Sequence, residues 1–294
     1  MIPRYRAAVP AILLFLAASA ASAAYSPSTT NGWFIVVGRV TGVGGAQFRT
    51  DNWFFNPDAV NFATFTLIFH GQVASGGGAP APISSSPITL APRETKLLAD
   101  VLLSTVPADG QVGTLEWQSD RPIMGGMRSY TAPSGCTGGT FGAFLPGIPT
   151  TESMGPKQSA TDSSNVLQVF GTNSGDPNYR TQFDVINTSS GSVTIEVKVV
   201  DPVTAQVYVN NSYAVAGKSL FRVGRILESS ASIPIINGLR VTVAIKEGTA
   251  VASGGLLAVG ETLDNRSQDQ YAFVGVRQSG SVVPAEMLPA EVLP

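Results

Sequence analysis

A single histidine, His70, and a single cysteine, Cys136, restrict the chemistry open to this chain of 294 residues. Acyl transfer by a serine triad needs an imidazole beside an activated hydroxyl. No G-x-S-x-G elbow accompanies His70, which closes an alternating apolar run just before Gly71. It reads as a strand-end or surface histidine with no catalytic role. Zinc needs three or four nitrogen or sulfur ligands, and one His with one distant Cys does not supply them. Cys136 sits in the loop-forming stretch Pro133-Ser134-Gly135-Cys136-Thr137-Gly138-Gly139, with no basic cluster nearby to lower its pKa. It reads as an inert thiol, with an intermolecular disulfide or a reactive thiol as the alternatives. Asp100, Asp109, Glu116 and Asp120 are the carboxylates on which glycoside hydrolysis would have to draw. Their spacing fixes no separation between an acid and a nucleophile, so each reads as a solvated turn or strand-face residue. No D-x-D-x-D-G loop occurs, and Asn173–Asp176 and Asp264–Asp269 offer calcium only scattered oxygens. Asn187, Asn210 and Asn265 open N-x-S/T sequons, a short pattern that reads as incidental here. The sequence therefore assigns no catalytic, cofactor-binding or metal-binding residue.

The elements that must position these side chains follow from an internal repeat. Phe48-Arg49-Thr50-Asp51 recurs as Tyr179-Arg180-Thr181-Gln182, and the strand after each copy ends in Asn56 and Asn187 at the same spacing. Ala63–Phe69 corresponds to Val193–Val199, Leu90-Ala91-Pro92-Arg93 to Val215-Ala216-Gly217-Lys218, and Asp100-Val101-Leu102 to Arg225-Ile226-Leu227. Within the second pair of segments Val193, Ile195, Val197 and Val199 alternate with Thr194, Glu196 and Lys198, which predicts a strand with one face buried and one wet. Ala63, Phe65, Leu67 and Phe69 repeat that pattern. Further strands are expected at 34–40, 49–55, 88–90, 113–118, 123–130 and 141–145 in the first copy. The second copy should place them at 166–170, 181–186, 205–213, 219–223, 240–245, 250–263 and 271–276. Short helical turns are expected near 97–103 and 223–229. About seven short strands per hundred-odd residues is the density of an immunoglobulin-like sandwich. The expected organisation is all-β: two tandem antiparallel β-sandwich domains, 24–149 and 165–280, joined by a linker over 150–164 that lacks apolar periodicity. Asn52 occupies an inward position where an apolar residue is expected, which predicts a distorted or less buried strand there.

The repeat also singles out Trp53. It aligns with Asp184, on the face opposite Phe183 and Val185, so parity points it away from its own sandwich. An outward tryptophan either packs on the neighbouring domain or linker, or forms a stacking platform for sugar rings or another protein. Tyr130 extends such a surface; Trp33 and Trp117 belong either to it or to the core.

The first residues read as a secretory signal peptide over 1–23: basic at Arg4 and Arg6, apolar from Ala7 to Ala18, with an A-x-A site at Ala21-Ser22-Ala23. Its removal takes two arginines and no acid, leaving 16 basic against 20 acidic residues, a charge of −4. Scattered basic residues and mild acidity argue against nucleic acid and anionic membranes as partners, and no second long apolar run implies membrane insertion. Charged residues make up only 13% of the chain against 31 glycines and 20 prolines, a composition of short strands and tight turns rather than helices. The tail 281–294 repeats Pro-Ala-Glu-Met-Leu-Pro as Pro-Ala-Glu-Val-Leu-Pro; it is expected to be extended and frayed, or to add to a sheet edge.

Together the aromatic-Arg-Thr-Asp strand ending in Asn56-Pro57, the alternating strand 63–69, the Leu90-Ala91-Pro92 turn, Arg128-Ser129-Tyr130-Thr131 and Gly139–Gly142 resemble a largely uncharacterised group of secreted bacterial proteins with tandem immunoglobulin-like repeats. That resemblance implies an extracytoplasmic structural or adhesion role, in the periplasm, on the cell surface or secreted, with envelope proteins or polysaccharide as partners and no reaction. A carbohydrate-binding protein using exposed aromatics is the second expectation, and an extracellular hydrolase the third.

Overall fold

A computed structural model describes residues 28–42, 45–132, 140–162, 165–172, 178–223, 238–251, 253–264 and 270–277. The signal segment, Cys136, the turn at 173–177, the counterpart segment 225–227 and the tail lie outside these residues. So does all but Val223 of the second expected helical turn.

The chain is all-β. Its N-terminal half contains β1 (Thr29–Gly38), β2 (Val40–Thr41), β3 (Gln47–Phe55), β4 (Ala63–Val73), β5 (Ile83–Ser84), β6 (Ile88–Leu90), β7 (Thr95–Leu98), β8 (Val112–Ala132), β9 (Phe141–Pro146) and β10 (Ile148–Pro149). One helical turn, Val101–Ser104, falls where a turn is expected. The C-terminal half contains β11 (Leu167–Thr172), β12 (Tyr179–Asn187), β13 (Val193–Val200), β14 (Val207–Val215), β15 (Ser219–Arg222), β16 (Leu239–Ile245), β17 (Leu256–Asp264), β18 (Gln270–Val274) and β19 (Val276–Arg277).

The alternating strands behave as their pattern dictates. Along β4, Ala63, Phe65, Leu67 and Phe69 are buried while Thr64, Thr66 and Ile68 are half-buried; along β13 the valines and Ile195 are buried. In the N-terminal half, β10, β1, β8 and β4 form one layer and β9, β8, β3 and β7 the other. Between them lie Phe34, Phe54, Phe65 and Trp117, with ring centres 4.5 to 6.2 Å apart. β8 serves both layers. Its first part pairs with β1 and β4, and its second with β3 and β9. The expectation of two strands here is corrected: Asp120-Arg121-Pro122 bends one 21-residue strand from layer to layer rather than ending it.

The C-terminal half also has two layers. One layer runs β14, β13, β16, β11, β19 and the other β15, β12, β17, β18. Phe65 pairs with Ile88 as Ile195 pairs with Tyr213. A buried asparagine follows β3, and another closes β12. Asn56 Nδ2 donates to Asn61, Leu90 and Ala91 carbonyls, and Asn187 Nδ2 to Gly191, Val215 and Ala216 carbonyls. In each turn that follows, a left-handed non-glycine residue, Arg93 (φ 60°) or Lys218 (φ 49°), donates its backbone N–H to Asp58 or Ser189. Burial of Asn187 also closes its sequon to glycosylation, because its amide is consumed inside the fold.

Two expectations change. Asn52 is fully buried in an unbroken β3 register rather than distorting the strand, though its side chain has no hydrogen-bond partner among the described residues. The connecting stretch is anchored at two points although 158–161 are exposed. Met154 is buried in the second core and exchanges backbone hydrogen bonds with Leu256, and Lys157 N–H donates to the Ile245 carbonyl.

The halves touch extensively. The outward side of β12, β15 and β17 (Ile186, Leu220, Leu257, Val259) joins the cluster containing Trp33, Ile35 and Val36 of β1. β15 also runs parallel to the end of β4, with Leu220 and Phe221 opposite Gln72 and Val73.

Candidate functional site

The outer face of β9, β8, β3 and β7 carries the two residues singled out from sequence. Parity turns Trp53 and Phe55 outward, and in register Trp53 lies between Gly126 of β8 and Leu97 of β7. The Trp53 ring stacks on Phe144 of β9, centres 5.4 Å apart and tilted by 34°. Trp53 is half-buried, whereas Phe144 and Leu97 are 68% and 49% exposed. Its ring partner thus belongs to its own layer. Beside it opens a groove of about 470 Å³ lined by Trp53, Phe55, Met124, Gly126, Phe144 and Pro146 among others. Tyr130 lies on the same face two rows away. The Arg128 guanidinium lies between, 5.1 Å from the Tyr130 ring centre and 6.0 Å from that of Phe144. Tyr130 donates its hydroxyl to Asp51 at 3.3 Å; burial and then the Asp51 and Asp100 charges push its phenol pKa up. The sequence pointed to Trp53 and Tyr130 but missed Phe144 and Arg128, which the alternation of β9 and the Arg-Ser-Tyr motif could have revealed.

The four candidate carboxylates do not form one site. Asp100 pairs with Arg39 and Arg49, Asp109 with Arg39, and Asp120 accepts the Thr64 N–H. Trp33 and Trp117 are both fully buried.

Glu116 and His70 depart furthest from expectation. Both are buried, at 2% and 6% exposure, because the C-terminal half covers the outer side of β1, β8 and β4. His70 Nε2 lies 3.0 Å from Glu116 Oε2. Asn31 and Gln118 donate to the same carboxylate at 2.9 and 3.0 Å, and Lys218 reaches it from the other half at 3.1 Å. Burial pushes the Glu116 pKa up, but the His70, Asn31 and Gln118 hydrogen bonds and the Lys218 charge outweigh it and hold the carboxyl at about 2. The Lys218 ammonium also stands 4.6 Å from the Trp33 ring centre, and Trp33 Nε1 donates to Thr150 Oγ1. That hydroxyl in turn donates to Asn31. The carboxylate gathers donors from both halves, so the cluster joins them.

A second ionic cluster lies at the same junction. Arg222 grips Asp184 through two 2.8 Å hydrogen bonds, next to Glu261 in a cleft of about 240 Å³ bordered by Val36, Phe48 and Ser129 of the other half. Burial first and the Asp184 charge second push the Glu261 carboxyl up to about 7, with Arg222 pulling it down. A raised carboxyl pKa means that the folded protein keeps a proton the unfolded chain releases. Stability should therefore fall as pH rises from about 4.5 to about 7. Glu261→Gln is expected to remove that slope and to stabilise the protein at pH ~8 by on the order of 1–3 kcal/mol. Urea midpoints of both proteins at pH ~5 and ~8 check this; an unchanged slope would show that Glu261 ionises normally.

The sequence matches no protein-family model, and no curated protein is similar to it.

Proposed function

We propose that this chain is a secreted, non-enzymatic structural or adhesion-type protein of the cell envelope or extracellular space. In this reading it is built from two tandem immunoglobulin-like sandwiches and belongs with the secreted bacterial repeat proteins it resembles. The duplication is supported by the matching Asn56 and Asn187 networks and by strand registers that correspond in both halves. The observation that carries the function is the open aromatic face: Trp53 and Phe144 border a groove while the equivalent side of the other half is covered. A large apolar face kept on a secreted surface, rimmed by Arg128, Tyr130 and Asp51, is the form of an interaction site. The contact partner is an envelope protein or polysaccharide. Trp53→Ala is expected to weaken co-sedimentation with isolated envelopes at least tenfold while leaving the thermal midpoint within a few degrees, because the ring lies outside the core. Undiminished association of the variant would remove the surface from consideration.

Carbohydrate binding is the second reading, supported by the tilted Trp53–Phe144 pair beside an arginine. A glycan array probed with wild type and Trp53→Ala distinguishes it: defined oligosaccharides bound only by the wild type favour this reading.

A further inference from the structure

The open face has a counterpart inside the molecule. By register Trp53, Phe55, Leu97 and Gly126 correspond to Asp184, Ile186, Arg222 and Val259, the side of β12, β15 and β17 that the C-terminal half lays against the N-terminal half. One of two equivalent sheet faces is therefore already a sheet-to-sheet contact, and the other, bare among the described residues, is more aromatic.

We infer that the bare face joins two copies of this chain about a two-fold axis parallel to the strands and midway between β3 and β8; this rests on the reading of that face as the contact surface. The argument is self-complementarity. Such a rotation keeps each row of the face at its own level and reverses its order across the strands, so that β3 of one protomer lies over β8 of its partner. In the central row, Pro146, Gly126, Trp53 and Leu97 follow one another from β9 to β7. Reversal sets Trp53 over Gly126 of the partner subunit and Leu97 over Pro146 of the partner subunit. Gly126 leaves the sheet surface open at that point, since a Cβ there would meet no atom within 4 Å. In the row on one side, Asp51 pairs with Arg128 across β3 and β8. Reversal sets Asp51 over Arg128 of the partner subunit, so opposite charges meet twice. In the row on the other side, Phe55 meets Met124 of the partner subunit. Each row thus opposes a large residue to a small one, an apolar residue to an apolar one, or a cation to an anion. The groove around Trp53 favours protein over sugar, because the Thr95 hydroxyl and the Trp53 indole N–H are the only polar side-chain groups among its lining residues.

Sedimentation velocity on the full chain over roughly 1–100 µM tests the inference. The wild type is expected to dimerise. Trp53→Gly, which removes the knob, and Gly126→Trp, which fills the hole, should each weaken association at least tenfold. The double variant exchanges knob and hole and should regain the dimer. If Gly126→Trp does not fold by circular dichroism, Asp51→Arg and Arg128→Asp take its place: each alone should weaken the dimer, and the pair together should restore it. A wild type that stays monomeric throughout overturns the inference, as does a dimer indifferent to these changes or an open-ended polymer. A monomer whose envelope or glycan binding still depends on Trp53 overturns only the second copy as partner; a monomer whose binding ignores Trp53 overturns the surface reading as well.

Discussion

Replacing Asn56 by leucine is expected to lower the unfolding free energy by about 3–5 kcal/mol, and Asn187→Leu by a similar amount. Each asparagine is fully buried and satisfies main-chain groups on both sides of a turn. Asn56 Nδ2 donates to Asn61 and Ala91 carbonyls at 2.8 and 3.1 Å, and its Oδ1 accepts the Asp58 N–H at 3.0 Å. Asn187 serves Gly191, Ala216 and Ser189 in the same way. Leucine fills the volume but leaves these buried backbone groups unpaired, and each orphan costs about 1–3 kcal/mol. The three tryptophans all lie in the N-terminal half, so fluorescence reports on that half and far-UV circular dichroism on the whole. Asn56→Leu should shift the fluorescence transition in urea, and Asn187→Leu should shift the dichroism transition. A loss below about 1 kcal/mol in both variants would mean the turns hold without these side chains.

These asparagines also show what a single sequence makes legible. Both stand at the end of a strand with the same preceding motif, so the repeat alone brought them into correspondence, although not their hydrogen bonds. Parity against Asp184 places Trp53 outward, because side-chain direction in a strand is a local property. The burial of Glu116 and His70 is not local. Alternation marks Thr64, Thr66, Glu116 and Gln118 as the wet side of their strands, and only the docking of the second half turns part of that side into an interior. Lys218 could be aligned with Arg93 in a turn, but nothing in that alignment tells that its ammonium reaches a carboxylate 102 residues earlier. The bend in β8 misled for a related reason. Asp120-Arg121-Pro122 has the composition of a turn, yet a strand that changes layers exposes its corner and tolerates such residues there. Met154 likewise anchors a stretch with no periodicity, because one buried side chain leaves no pattern.

Glu116→Ala is expected to be nearly as costly, about 2–4 kcal/mol, because it strands the buried His70 and takes their shared acceptor from the half-buried Asn31 and Lys218. Lys218→Met should cost less, since that side chain is about one-third exposed and water screens its charge. The pH dependence separates Glu116 from a merely space-filling residue. Its folded pKa of about 2 lies below the ordinary 4.5, so its contribution is present above about pH 4.5 and is lost as pH falls from there toward 2. Glu116→Gln keeps the shape and should lose that acid-limb slope, on the order of 3 kcal/mol across the window. Glu261 acts with the opposite sign between about 4.5 and 7, so the two carboxylates at one junction together favour mildly acidic conditions. Wild-type stability should therefore peak near pH ~5, with the acid side flattened by Glu116→Gln and the alkaline side by Glu261→Gln. A curve whose two limbs respond to the same substitution would show that the clusters titrate as one unit, and the separate roles assigned to them would fail.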